Sequence, residues 1–463
     1  MEYVNNKVNN IKIAYIGGGS RGWAWGLMSD LALCDDINGD VYLYDTDAEA
    51  AKNNEIIGNK YNQADGAKSI WNYHAVSTID EALANANFVV ISILPGTFDE
   101  MESDVHTPEK YGIYQSVGDT SGPGGIVRAM RTMPMFEYIA KKIKDHCPDA
   151  WVINYTNPMT LCVDTLYRVF PKIKAFGCCH EVFSSQTLLT KALAELRGIE
   201  GVAREDIKVN VAGVNHFTWL TTARYRDMNL YPLYREFIQK HPEGISFNQG
   251  VNHINNAWRQ FQRVKFDLFQ RYGVIAAAGD RHLAEFCPGD WYLKDPQQVW
   301  DWGFGLTSVS WRKTQLQERL EKSRALVSGE QEFEFNPTGE EGVRQMRAIL
   351  GLEEFVTNVN LPNIGQIPDL PMGAVVETNA NFRSGSVTPV IAGELPKSIY
   401  PLVSRICGNQ RLLAEAIAQR DLDKAFQVFV NDPLVRLPLD KARELFDRMI
   451  ANTDKYLGMY GIK

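Results

Sequence analysis

The octapeptide YIGGGSRG, residues 15–22, follows the apolar run IKIA and opens a stretch with helical spacing. It sets Gly17, Gly19 and Gly22 in the pattern G-x-G-x-x-G at a strand–turn–helix junction. There the first glycine permits a tight turn, the second lets backbone approach a pyrophosphate, and the third lets helix and strand pack closely. The helix start adds free N–H groups and a positive dipole end for phosphates. Asp45 ends the next apolar run, DVYLYD, where an acid accepts both ribose hydroxyls and repels a 2′-phosphate. Gly17, Gly19, Ser20, Arg21, Gly22 and Asp45 therefore read as a site for NAD rather than NADP. A glycine-rich turn in a non-binding α/β protein is the alternative.

Further strands of the same kind follow at 40–45, 87–94, 150–156, 173–178 and 207–213, with helical patterns at 21–33, 47–61 and 127–146 between the first of them. This alternation predicts an α/β fold, a Rossmann-like doubly wound parallel sheet. Beyond about residue 217 the aromatic-rich segments WLTTARYRDMNLYPLYREFIQKH and NAWRQFQRVKFDLFQRYG predict a mostly helical α+β part. Strands are expected around a turn at Arg383-Ser384-Gly385, and helices at 396–419 and 438–456. The division expected is residues 1–215 for the cofactor and 216–463 for substrate and oligomerisation.

The chain has 463 residues, 45% hydrophobic and 22% charged, with a formal charge of −8. A mildly acidic protein gives no support for nucleic acid or anionic membranes as partners. No basic region followed by an apolar core opens the chain, and its apolar runs are of strand length, so a cytoplasmic protein is expected. Seven cysteines, an odd number, suit reduced thiols better than a disulfide framework.

Two of those cysteines stand in GCCHEVF, residues 177–183. Like AGVNHF at 212–217, it follows a strand. Cys179 as thiolate and the His216 imidazole are candidates to share a divalent ion from two loops. Two protein ligands are too few for a structural site and suit a catalytic metal with positions left open. Taken singly, each has a plainer reading, a buried apolar cysteine and a hydrogen-bonded core histidine. A Cys-His nucleophilic hydrolase is disfavoured, because sequence-adjacent Cys and His rarely meet productively.

With GGGSRG (17–22), EKYGIYQSVGDTSGPGGIVRAMRTMP (109–134), NYTNP (154–158), CHEV (179–182) and GVNH (213–216), the chain resembles glycoside hydrolase family 4, the NAD- and manganese-dependent glycosidases, over nearly its whole length. The resemblance implies a C-terminal part like that of lactate and malate dehydrogenases. Cys179 and His216 match the family's Mn2+ (or other divalent metal) ligands, with sugar O2 and O3 completing the sphere. Asn157 matches a substrate-contacting asparagine, and Asp119 and Arg128 match a segment lining the sugar pocket. Cys-His-Glu-Val is similar to the subgroup associated with α-galacturonidases and, in older assignments, α-glucosidases.

The chemistry so implied is an exception to the two-carboxylate rule of glycosidases. NAD oxidises C3, a base removes the acidified C2 proton, the C1–O bond breaks by 1,2-elimination, and water addition and hydride return complete hydrolysis. By resemblance to α-specific members Asp280 is the expected base, with capping of the helix that begins RHLAEF as its plainer reading, and His180 and Asp119 are the other catalytic candidates. Glu181 is expected to bond a sugar hydroxyl or anchor His180. A uronate needs a cationic fork, for which Arg128, Arg281 and Arg383 are candidates. Expectation therefore favours an α-galacturonidase acting on small oligosaccharides as a homodimer or homotetramer. The alternatives are an α-glucosidase of the same mechanism and a simple NAD-dependent polyol or hydroxyacid dehydrogenase.

Overall fold

The computed structural model describes residues 1–62, 64–246 and 259–461. Among these, fourteen strands join one sheet: β1 (Glu2–Val4), β2 (Lys7–Ile16), β3 (Ile37–Tyr44), β4 (Trp71–Ala75), β5 (Phe88–Ile91), β6 (Trp151–Asn154), β7 (Lys174–Gly177), β8 (Ile207–Val214), β9 (Phe217–Tyr225), β10 (Met228–Asn229), β11 (Ile275–Ala276), β12 (Phe355–Pro362), β13 (Val375–Arg383) and β14 (Ser386–Pro389).

Six of them, in the order β4-β3-β2-β5-β6-β7, are parallel, as the expected doubly wound sheet requires. The order reverses between β2 and β5, which opens a crevice at their carboxyl ends. Side chains alternate between two covered faces. Ile13 and Tyr15 pack with Met28 and Leu31 on one face, and Ala14 and Ile16 with Phe136 and Ile139 on the other. Both faces are apolar, so these strands read as continuous apolar runs. The edge strand β4 carries Asn72 and His74, which dilute that signal, and it escaped the sequence pattern.

The second part carries more strand than the mostly helical expectation, β12 among it. WLTTARYRDMNLYPLYREFIQKH divides into β9, which returns antiparallel along β8, and the helix Tyr231–Lys240. The other segment forms the helix Arg263–Tyr272, its residues 256–258 lying outside the described ones. The C-terminal helices run Tyr400–Gln419 and Leu439–Ala451. Four antiparallel strands, β12, β13, β8 and β9, continue the sheet beyond β7. One register row crosses the junction: Gly177 pairs with Asn360, Asn360 with Glu377, and Glu377 with Gly213. The loops that follow β7 and β8 both begin beside this row. No helix among the described residues is long and apolar enough to cross a membrane.

Candidate active site

The glycine loop is held from three sides. Gly17 has φ +95°, and a Cβ there would stand 2.0 Å from the Ser92 carbonyl oxygen, so this turn requires glycine. The close approach expected of Gly22 belongs to Gly18, whose Cβ would meet the Leu43 backbone of β3 at 2.8 Å. Gly22 instead faces the Arg319 guanidinium. Asp45 accepts the Gly19 N–H at 2.9 Å, and Arg21 pairs with Asp47 at 3.3 Å. The Ser20 carbonyl is held by a residue the sequence did not single out, Asn54. Fully buried, it donates to the carbonyls of Gly18 (2.7 Å) and Ser20 (3.1 Å) and accepts from Trp25 Nε1 (2.8 Å). The helix beginning at Trp23 has no side-chain cap on its first turn. Uncapped amides at a helix start fit an anionic diphosphate, so the loop suits a dinucleotide. Replacing Asn54 by alanine removes all three bonds and strands a buried indole N–H. NADH fluorescence titration is expected to show about tenfold weaker binding, from about 1–3 kcal/mol of lost loop order.

At the second site the structure brings together Cys179, Glu181, Asn215, His216 and His282. His216 ends a two-residue turn between β8 and β9 with φ +64°, a conformation that favours glycine. Strain of this kind gathers at functional positions. Its Nδ1 meets Thr120 Oγ1 at 3.1 Å, which leaves Nε2 to bind something else. Burial and the neighbouring His282, whose ring centroid is 4.0 Å away, push its pKa down to about 3, so the imidazole is neutral. Burial, then Glu377 and Glu181, push the Cys179 thiol well above its ordinary range. A divalent cation reverses that order by displacing the proton. Asn215 Oδ1 and Asn157 Oδ1 are buried without partners. A thiol, a neutral imidazole and orphaned amide oxygens in an acidic surround fit a divalent metal. Among the described residues no three His, Cys, Asp or Glu side chains form a complete ligand set.

Supporting groups surround this pair. Glu377, buried on β13, accepts from Asn215 (3.1 Å) and Asn358 (2.7 Å), and burial raises it to about 7. Its only trace in sequence is an acid inside the apolar strand AVVETNANF. Glu181 bonds the Gly279 N–H at 2.8 Å and pairs with His282 Nε2 at 3.4 Å. Burial would raise Glu181, but the charge and hydrogen bond of His282, with the charge of His180, outweigh it and hold the carboxylate well below its usual range. The expectation that Glu181 anchors His180 is thus corrected: Glu340 does so, at 2.7 Å, and raises His180 to about 9.

Asp119 lies beside Asn157, whose Nδ2 stands 3.4 Å from its carboxylate, and Arg128 Nε donates to the Asn157 carbonyl at 3.1 Å. Burial opposes charge on Asp119, but Arg128 and His282, with the Thr120 hydrogen bond, outweigh it and keep the carboxylate below its ordinary pKa. The segment carrying Asp119 is clamped from the short helix Asp280–Glu285. Glu285 accepts the N–H groups of Val117 (2.7 Å) and Gly118 (2.9 Å), and Arg281 donates to Ser116 and Thr307.

Three expectations change here. Asp280 is fully buried and accepts the Lys265 N–H at 3.1 Å, so it caps the helix Arg263–Tyr272 instead of facing a sugar. Arg281 is engaged in the clamp. Arg383 is exposed at the far end of β13, six residues beyond Glu377, about 20 Å along the strand.

A model for family 4 glycosyl hydrolases matches residues 12–195, and one for the family's C-terminal domain matches residues 211–435. The chain belongs to glycoside hydrolase family 4. Within family 4, it is 61% identical to a protein of Thermoanaerobacterium saccharolyticum named α-galacturonidase, over 100% of both chains. It is similar to the crystal structure of a Bacillus subtilis protein called a glucosidase, at 50% identity and TM-score 0.90, covering 95% of this chain and 100% of that one. The fold also matches a 6-phospho-β-glucosidase from Thermotoga maritima, solved with manganese, NAD+ and glucose-6-phosphate. The TM-score there is 0.76 at 20% identity, over 96% of this chain and 99% of that one.

Proposed function

We propose that this family 4 enzyme is an α-galacturonidase, releasing galacturonate from α-linked, non-phosphorylated oligosaccharides with NAD and a divalent metal such as Mn2+. The reading is carried by the 61% identity, end to end, with the T. saccharolyticum α-galacturonidase. The cofactor reading is supported by the uncapped helix at Trp23 and by the free Nε2 of His216 beside Cys179. Residues 1–215 would serve the cofactor and 216–463 the substrate and subunit contacts, in a cytoplasmic homodimer or homotetramer.

In this reading the glycine loop and Asp45 hold the dinucleotide, and Cys179 and His216 hold the metal. Bound NAD supplies a reversible hydride acceptor, and the metal supplies Lewis acidity toward the sugar oxygens. The chain's own residues do the rest. Thr120 fixes the His216 ring through Nδ1. Asn157 directs an unpaired amide oxygen, and Asp119 a carboxylate, where sugar hydroxyls would bind. Glu181 Oε1 holds a proton at His282 Nε2, and Glu340 holds one at His180 Nδ1; these are the chain's proton-handling pairs beside the metal loop.

The test is hydrolysis of digalacturonate beside maltose, omitting NAD+, Mn2+ and thiol reductant in turn. Galacturonate release that requires both cofactors, without net NADH, is the expected result. Maltose cleavage in its place overturns the substrate, and stoichiometric NADH without bond cleavage overturns the hydrolase reading. Omitting reductant is expected to lower activity progressively, because a thiolate at a metal site open to substrate oxidises.

A further inference from the structure

A uronate brings a carboxylate into an acidic protein, and the arginines expected to receive it are distant or at least partly engaged elsewhere. Arg281 is bonded to Ser116 and Thr307, Arg383 stands on a distant hairpin, and Arg128 Nε is bonded to the Asn157 carbonyl. Arg312, on the helix along the cleft, has no such partner. Arg312 is partly buried, its Nε is wholly so, and no hydrogen-bond acceptor or ion-paired carboxylate meets it among the described residues. The guanidinium lies over the Trp311 ring at 5.2 Å, but a buried N–H without an acceptor is costly, and a bound anion removes that cost.

Its place follows from the helix Val309–Ser328. Ser308 caps this helix through the Trp311 N–H at 3.2 Å. Thr307, just before it, bonds the Ser116 carbonyl at 2.9 Å, three residues from Asp119. Seven residues beyond Arg312, on the same helix face and about 10 Å further along the axis, Arg319 lies against Gly22 of the dinucleotide loop. Arg319 is thus the cation at the diphosphate end, and Arg312 faces the end where Asp119 and Asn157 stand. Arg312 is close enough to Asp119 and Arg128 to interact with both electrostatically.

We propose that Arg312 is the specificity residue of this site and receives the substrate's carboxylate in a two-point ion pair. The proposal rests on the galacturonide reading above and assigns its charge recognition to a residue of the helix that spans the cleft.

Two substrates provide the test: digalacturonate, and 4-nitrophenyl α-D-galactopyranoside, whose sugar carries a hydroxymethyl group where the uronate has its carboxylate. Arg312→Gln is expected to lower kcat/KM on digalacturonate about a hundredfold, from the loss of charge-assisted hydrogen bonds. Turnover of the galactoside and NADH affinity are expected to stay unchanged. Arg312→Lys keeps the charge without the fork and should fall between wild type and Arg312→Gln. Equal loss on both substrates, weakened NADH binding, or undiminished galacturonide turnover in Arg312→Gln would each overturn the proposal. Calorimetric titration with galacturonate separates it from the reading it rests on. Arg312-dependent galacturonate binding by an enzyme inert toward digalacturonate would keep the role of Arg312 and overturn the proposed function. Absence of both binding and cleavage would overturn the two together.

Discussion

Serine in place of Cys179 is expected to lower metal-dependent kcat/KM at least about a thousandfold while leaving NADH binding intact. The argument begins with charge. The thiol is buried and its proton is held by the surrounding acids, so only a cation able to displace that proton makes the sulfur a ligand. A serine hydroxyl is far harder to ionise, and the substitution removes one of two protein ligands. Lewis-acid assistance is worth several kcal/mol in reactions of this type, and about 4 kcal/mol corresponds to about a thousandfold. His216→Asn should fall by a similar factor. The double variant should fall little further, because the two ligands act as one unit. Metal content by atomic absorption, measured with kcat/KM, checks this. Full metal-dependent turnover in Cys179→Ser would overturn the metal assignment, and loss of NADH affinity would show that the change reaches beyond the metal loop.

Legibility from sequence followed distance along the chain. The glycine loop and Asp45 lie within one β-α-β unit, where spacing alone encodes geometry, and the structure brings them together by the Gly19–Asp45 bond. Cys179 and His216 were visible because both follow strands, although the row that joins those strands runs through Asn360 and Glu377 from far downstream. Such a row is set by sheet register, which no local pattern announces, so Glu377 went unnoticed. Asp280 misled for a related reason. An acid between glycine and arginine looks the same whether it faces a cleft or a helix amide, and only tertiary packing aims it at the Lys265 N–H. Arg312 was hidden because a charged residue on a polar helix is ordinarily solvated. Its place becomes evident only when its neighbours are seen to have partners.

Removing the carboxylate of Asp104 is expected to cause the largest loss of stability, about 3–5 kcal/mol, because it leaves Arg131 charged in the interior. Both side chains are 0% exposed, joined by two bonds of which Nη1–Oδ1 is 3.0 Å. The pair also underpins the two loops that form the cleft. Arg131 Nε donates to the Pro95 carbonyl at 2.8 Å, in the turn after β5, beside the dinucleotide loop. The Asp104 carbonyl accepts from Gln115 Nε2 at 2.7 Å, and Gln115 Oε1 accepts the Gly124 N–H at 2.9 Å, bracketing the segment that carries Asp119. Asp104→Ala should therefore lower the urea midpoint and weaken both NADH binding and turnover. Replacing both partners, Asp104→Leu with Arg131→Met, removes the stranded charge and should recover most of the stability. Without the Arg131 bond to Pro95, however, it should recover less of the NADH affinity. That split separates a buried charge that must be neutralised from a hydrogen bond that positions the loop. An Asp104→Ala protein as stable as wild type would show that Arg131 escapes to water and that the pair does not anchor the cleft.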